Sequence, residues 1–217
     1  HPDDELLGVG GTVIKHVENG DEVNGLIMGE GITSRYDSRI KAPDEDLTKL
    51  KEKCLKAGEI SGYSNIDFFD LPDNRFDSID LLDIVKNIEM KIDIYKPSII
   101  YTHFEGDLNI DHKITVQAVL TACRPLPKSL ITKILSFDTV SATGWGFSSN
   151  TFKPTVFNDI TNQLDKKLEA IRLYDSELCD YPHPRSIEAL KNRASYWGTQ
   201  SGLKYAEPFQ LVREIFV

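Results

Sequence analysis

The segment HPDDE at residues 1–5 sets a histidine, a proline and three carboxylates side by side. Carboxylates packed this closely repel one another unless a cation sits among them. Pro2 fixes the backbone between His1 and the acids. His1 and Asp4 stand three residues apart around a helix start, within reach of one ion, while Asp3 points differently and could serve as a base. The competing explanation is plain: acids at a helix N-terminus complement its dipole. A second cluster, GDLNIDH at 106–112, supplies His112, Asp111 beside it and Asn109 three residues earlier. His103 ends the apolar run just before it. A metal-bound imidazole normally donates its other N–H to a nearby acceptor, and a carboxylate such as Asp111 suits that part. One such histidine alone is more often structural; two clusters at two strand ends are harder to dismiss. A third cluster, YPHPRS at 181–186, holds His183 and Arg185 in a proline-stiffened turn. Arginine there suits a carboxylate or phosphate partner, and the alternative is a surface turn with Ser186 as a cap. Arg35, Asp73, Asn74 and Arg75 occupy turns that either reach the same rim or are ordinary surface residues.

Two histidines and one carboxylate make a three-ligand zinc site, which leaves a fourth position for water as catalytic sites do. Zinc brings the pKa of such water toward about 7, and a free carboxylate beside it can take the proton. The same donor set also fits iron.

The elements that must position these groups alternate. Apolar residues from Leu6 to Val17 follow a helical period and end at Asn19-Gly20. Glu22 to Met28 reads as a strand leading into the Gly-rich turn GEGITSR. Helices are expected over Asp44 to Ser61, Ser78 to Ile94, Ile110 to Ala122, Asp159 to Tyr174 and Ser186 to Trp197. Strands are expected over Asn65 to Leu71, Pro97 to His103, Lys133 to Val140 and Pro154 to Ile160. Such alternation predicts an α/β protein, a mostly parallel sheet with helices on both faces, in which ligands bind beyond the carboxyl ends of the strands. The polar clusters fall at strand-to-helix turns, as that rule requires. HPDDE leads straight into a helix, so its own strand, about ten apolar residues, is expected upstream of His1. Residues 1–217 read as one domain. Trp145, Tyr196 and Trp197 are expected in the core or a wall rather than around a cofactor.

The chain has 217 residues, 40% hydrophobic and 27% charged, with a net charge of −9. That composition is globular, and the charge argues against nucleic acid or an anionic membrane as partner. No apolar run approaches the roughly 18 residues of a membrane span. Three cysteines without CxxC spacing fit a reducing cytoplasm.

HPDDE, then GDLNIDH, then PHPRS, in that order along nearly the whole chain, resemble the PIG-L/LmbE-like metal-dependent de-N-acetylases, and in particular members found in bacterial polysaccharide and sugar modification. The resemblance implies a Rossmann-like α/β fold and zinc, with Fe2+ or Co2+ as substitutes. It implies hydrolysis of the N-acetyl group of an N-acetylglucosamine-type sugar, free or linked to a nucleotide or glycan, and leaves homo-oligomerisation open. Carried over, His1, Asp4 and His112 would be the ligands, Asp3 the general base, and Asp111 the residue orienting His112. Arg35, Arg75, His183 and Arg185 would contact the substrate. Many members have a histidine where this chain has Asn109; its amide, or His103 or His183, would donate to the oxyanion. Members usually carry an arginine in the helix after the Gly-rich turn; here Lys49 or Lys51 stands in. Two rivals remain: another metal-dependent amidohydrolase or esterase on the same scaffold, and a metal-bearing sugar-binding protein without catalysis. A pure binder has no need of Asp3.

Overall fold

The computed structural model describes residues 1–126, 130–146 and 150–216. In chain order the elements are α1 (Asp4–Leu7), α2 (Gly10–Glu18), β1 (Asn24–Gly29), α3 (Asp44–Ser61), β2 (Asn65–Leu71), α4 (Leu81–Tyr95), β3 (Ile99–His103), α5 (Ile110–Ala122), β4 (Lys133–Phe137), β5 (Val156–Asp159), α6 (Leu164–Ile171), α7 (Ile187–Ser201) and β6 (Ala206–Glu214). Two compact units result. The first joins His1–Asp73 to Phe157–Pro208, and the second joins Asn74–Val156 to Phe209–Val217.

In the first unit β1 and β2 pair in parallel, Asn24 opposite Asn65 and Ile27 opposite Phe68. Leu6, Ile14, Ile27, Cys54, Ile160, Ile171 and Tyr174 are buried there. α3 ends as its sequence requires, with Gly62 at φ 88° and its N–H on the Gly58 carbonyl; only glycine takes that left-handed position without strain. In the second unit β3 and β4 pair in parallel from Ile99–Lys133 to His103–Phe137. β6 pairs antiparallel with β4, Glu214 opposite Lys133 and Phe209 opposite Phe137. Phe76, Ile84, Phe104, Ile134 and Leu135 are buried in this unit. The four-strand order is β3-β4-β6-β5.

The protein is thus mixed α/β, and three details depart from the sequence expectation. β6 was not expected as a strand, because Pro208, Glu207 and Arg213 interrupt its pattern; it is also the antiparallel member of the sheet. The single helix expected over 6–17 is two, broken at Gly8-Val9. Glycines propagate a helix poorly, and here they serve another purpose. A Cβ on Gly11 would stand 2.8 Å from Ile160 Cγ2, so that residue must be bare. A similar close approach occurs at Gly31, at φ 78°, where a Cβ would lie 2.7 Å from Pro2 Cδ. Trp145 and Tyr196 are more than half exposed rather than buried.

The start of α2 has no side-chain cap of its own, since Val9 occupies the cap position. Instead Glu207 reaches in from β6 and accepts the N–H groups of Gly11 at 2.8 Å and Thr12 at 2.7 Å. Lys167 of α6 pairs with the same carboxylate at 2.6 Å and donates to the Leu7 carbonyl at 3.0 Å. Both side chains are buried. Removing one partner of a buried pair leaves an uncompensated charge and costs about 3–5 kcal/mol. Lys167→Met is therefore expected to lower unfolding free energy by about that amount in urea titration, whereas Lys86→Met, which breaks the exposed Lys86–Glu89 pair, should cost less than about 1 kcal/mol.

Candidate active site

Residues 1–3 form the turn that opens α1, and Asp3 is its pivot. Asp3 has φ 109°, outside the ordinary range for a residue with a side chain. Its N–H donates to the Glu5 carboxylate at 2.8 Å, which holds the turn closed. Glu5 in turn accepts the Tyr174 hydroxyl, and its carbonyl accepts the Tyr63 hydroxyl at 3.3 Å. Asp3 and Asp4 are buried. The Asp3 carboxylate faces Arg185 Nη1 at 3.0 Å. Burial pushes the Asp3 carboxyl well above the ordinary carboxylate range; Arg185 opposes this, and Asp4, Glu177 and Glu5 reinforce it.

His1 Nε2 lies 3.2 Å from Asp73 Oδ1. Asp73 is itself fixed by Ser34, whose backbone N–H and hydroxyl donate to Oδ2 at 3.0 and 2.5 Å. The Gly-rich turn after β1 therefore locates the carboxylate that steadies the His1 ring. Glu177, buried after α6, takes both Arg185, at 3.4 Å, and Arg35. Arg185 is placed by the turn before α7, where Ser186 caps the helix through the Ala189 N–H at 3.1 Å.

The second unit holds the GDLNIDH residues. Asn109 caps α5, its Oδ1 accepting the Asp111 N–H at 2.8 Å. That leaves the amide NH2 as the donor end of this side chain. His103 stacks on His112 with centroids 4.0 Å apart. The carboxylate at His112 Nδ1 is that of Asp107, at 3.2 Å, not the Asp111 that its sequence position pointed to. Asp111 instead ties down the turn after Asp73, accepting the N–H groups of Asn74 at 2.6 Å and Phe76 at 3.1 Å. Asp107 is wholly buried and accepts the Thr143 hydroxyl at 2.6 Å and the Asn109 N–H at 2.8 Å. Thr143 accepts the Thr139 N–H in turn. Burial pushes the Asp107 carboxyl up, but His112, Thr143 and the Asn109 N–H together outweigh it and hold the carboxyl below its usual range.

Of the remaining expected residues, Arg75 and His183 are exposed. His183 Nδ1 accepts the Arg185 N–H at 3.1 Å, so it shapes the turn that carries Arg185. Lys49 pairs with Glu45 at 2.7 Å and Lys51 with Asp70 at 2.6 Å. Asp107, Glu177 and Thr143 were not picked out from sequence. Asp107 had a signal, lying inside the GDLNIDH motif; Glu177 and Thr143 had none. Residue types able to hold a metal occur in both units: His1, Asp4 and Asp73 in the first, Asp111 and His112 in the second.

Residues 1–123 match the PIG-L family, described as GlcNAc-PI de-N-acetylase. The diacetylchitobiose deacetylase of Thermococcus kodakarensis is 28% identical over 225 residues, spanning 100% of this chain and 82% of that protein. Among solved structures, the N,N'-diacetylchitobiose deacetylase of Pyrococcus horikoshii in complex with its inhibitor MPG is similar with a TM-score of 0.78 and 20% identity, covering 98% of this chain and 81% of that one. GalB, the 4-carboxy-2-hydroxymuconate hydratase of Pseudomonas putida, is similar with a TM-score of 0.74 and 20% identity, covering 100% and 95%. At these identities the two structures show a shared fold.

Glu5 yields a test of this geometry. Its burial raises the carboxyl from 4.5 to about 7. A carboxyl whose folded pKa is raised stabilises the fold while protonated, below its unfolded pKa, and that stability is lost as pH climbs through the folded value. In metal-free protein the loss between pH 4.5 and 7 should reach about 3 kcal/mol. Glu5→Gln, which keeps the size and cannot ionise, should flatten that part of the stability–pH curve in denaturant titrations.

Proposed function

The chain belongs to the PIG-L family, and on that premise we propose that it is a metal-dependent hydrolase that removes acetyl from an N-acetylglucosamine-type sugar, free or linked to a glycan or nucleotide. The observation that carries this reading is that each of the two imidazoles proposed as ligands faces a buried carboxylate of its own unit, His1 on Asp73 and His112 on Asp107. Carboxylate–imidazole pairing of this kind orients metal-bound histidines and fixes which ring nitrogen is left for the metal.

His1, Asp4 and His112 are the proposed ligands, each with one ligand atom to give. Two imidazoles and one carboxylate, all largely closed to solvent, fit Zn2+ and would also take Fe2+ or Co2+. When bound, such an ion polarises the amide carbonyl and acidifies water. The chain's own residues do the rest. Asp3 takes the proton of the attacking water and returns it to the departing amine, and its contact with Arg185 keeps it aimed. The Asn109 amide or the His103 ring donates to the oxygen on which negative charge develops. Asp107 holds His112, and Asp111 fixes the turn at 74–76. Arg35, Arg75, His183 and Arg185 surround the sugar in this reading. Within the same reading, residues 1–217 act as one Rossmann-like catalytic domain in the cytoplasm. The three cysteines without a disulfide agree with that compartment; among the described residues no helix is long and apolar enough to cross a membrane.

A second reading has one observation in its favour. The fold is shared with a hydratase, GalB, so a different bond, or water addition, could be the chemistry of the same scaffold. Product analysis separates the two. Acetate release from N-acetyl sugars that is lost with chelator and regained with zinc supports deacetylation; metal-dependent conversion of a substrate without acetate supports the other. In the former case Asp3→Asn should reduce kcat by about 10²–10⁴ without loss of bound metal. Asp107→Asn should weaken metal binding by about 10–100-fold in a chelator competition, a readout independent of turnover.

A further inference from the structure

Glu177 matters for what the site admits. It takes Arg35 and Arg185 together, and Arg185 is shared with Asp3 at 3.0 Å. Two guanidinium charges are thus matched by two carboxylates before any ligand arrives. Arg39, in the same unit, is engaged by both oxygens of Glu30, at 3.1 and 3.0 Å from its Nε. Lys51 and Lys53 pair with Asp70 and Asp175. Asp4 and Asp73 add two more buried carboxylates to the same unit. A phosphate approaching Arg35 or Arg185 would meet guanidinium charges already neutralised by Glu177 and Asp3, and would bring its own negative charge beside the buried carboxylates of Asp3, Asp4, Asp73 and Glu177. A neutral sugar brings no such charge, and its hydroxyls donate to carboxylates as they stand.

Resting on the deacetylase reading, we infer that the substrate is an uncharged N-acetylated sugar, and that Glu177 enforces this by neutralising Arg35 and Arg185. Glu177 is a positioning residue in this scheme: it acts through the two arginines and sets selectivity rather than rate. The arginines brace Asp3 and the turn around it; they are not a phosphate cradle.

The test compares acetate release by the zinc-loaded full chain from N,N'-diacetylchitobiose, N-acetylglucosamine 6-phosphate and uridine diphosphate N-acetylglucosamine. The neutral sugar should win in kcat/KM by about tenfold or more, with the difference residing in KM. Glu177→Gln should lower KM for the two anionic sugars by about tenfold relative to KM for the neutral sugar. Arg35→Gln, with its unfolding midpoint measured alongside because it removes a partner of the buried Glu177, should leave the anionic sugars no weaker than before. Wild-type preference for either anionic sugar, or a selective loss of anionic-sugar binding in Arg35→Gln, would overturn the inference. Calorimetric binding of glucose against glucose 6-phosphate reads the same ranking without turnover. Failure of all three sugars to release acetate therefore counts against deacetylation, while the calorimetric order still decides the charge selectivity.

Discussion

The first unit is organised around one buried carboxylate. Glu207 stands in for a cap that α2 does not supply for itself, and Lys167 neutralises it while gripping the carbonyl of Leu7. Three backbone groups, the N–H of Gly11 and Thr12 and the carbonyl of Leu7, converge on this pair. The helix dipole favours the negative charge at that spot, and the lysine makes its burial tolerable. What this secures is the far end of the short helix that follows the turn at residues 1–3. α1 is only Asp4–Leu7, too short to be stable on its own account, and its last carbonyl is fixed by Lys167. The direction of Asp3 and Asp4 is consequently set by a contact made some 160 residues later in the chain.

A second arrangement appears once in each unit. A histidine faces a carboxylate, and that carboxylate is held by a hydroxyl and a backbone N–H: Ser34 supplies both for Asp73, while Thr143 and the Asn109 N–H serve Asp107. The carboxylate is thus oriented before it orients the ring. Fixing an acceptor this firmly is worthwhile where the imidazole must present one chosen nitrogen, which is the requirement of metal chemistry. Arg185 plays the corresponding part for Asp3, with Glu177 behind it. His1, His112 and Asp3 therefore each face a partner whose own position is fixed.

The sequence made the short-range pattern legible and left the long-range pattern hidden. α3, β2 and α5 fall on the residues that periodicity and boundary signals mark, since Gly62, which stops α3, and the Asn109 cap, which starts α5, act within a turn of their helices. HPDDE and GDLNIDH were recognisable because their chemistry is contiguous. β6 was not, because its polar residues look wrong for a strand until Glu207 is seen serving α2 and Arg213 donating to the Cys123 carbonyl. Glu177 was invisible for a like reason: nothing near it in sequence says that two arginines from distant turns will meet on it. Asp107, to which no part was given beforehand, stands at the His112 ring while Asp111 holds the turn at 74–76, because adjacency in a helix does not mean facing. Residues one apart project about 100° from each other, so the neighbour of a histidine is seldom the group that touches its ring.

Gly31 has a consequence of another kind. Its bare Cα lies against Pro2 and His1, with no room for a methyl group, and its φ of 78° suits no other residue well. The first two residues of the motif and the Gly-rich turn therefore form a matched pair of surfaces. In recombination between homologues, a chimera that takes one turn from each parent inherits a mould and a casting from different sources. A crossover placed between residues 2 and 31 should be among the least tolerated in the chain, whereas one that carries both turns together preserves the fit.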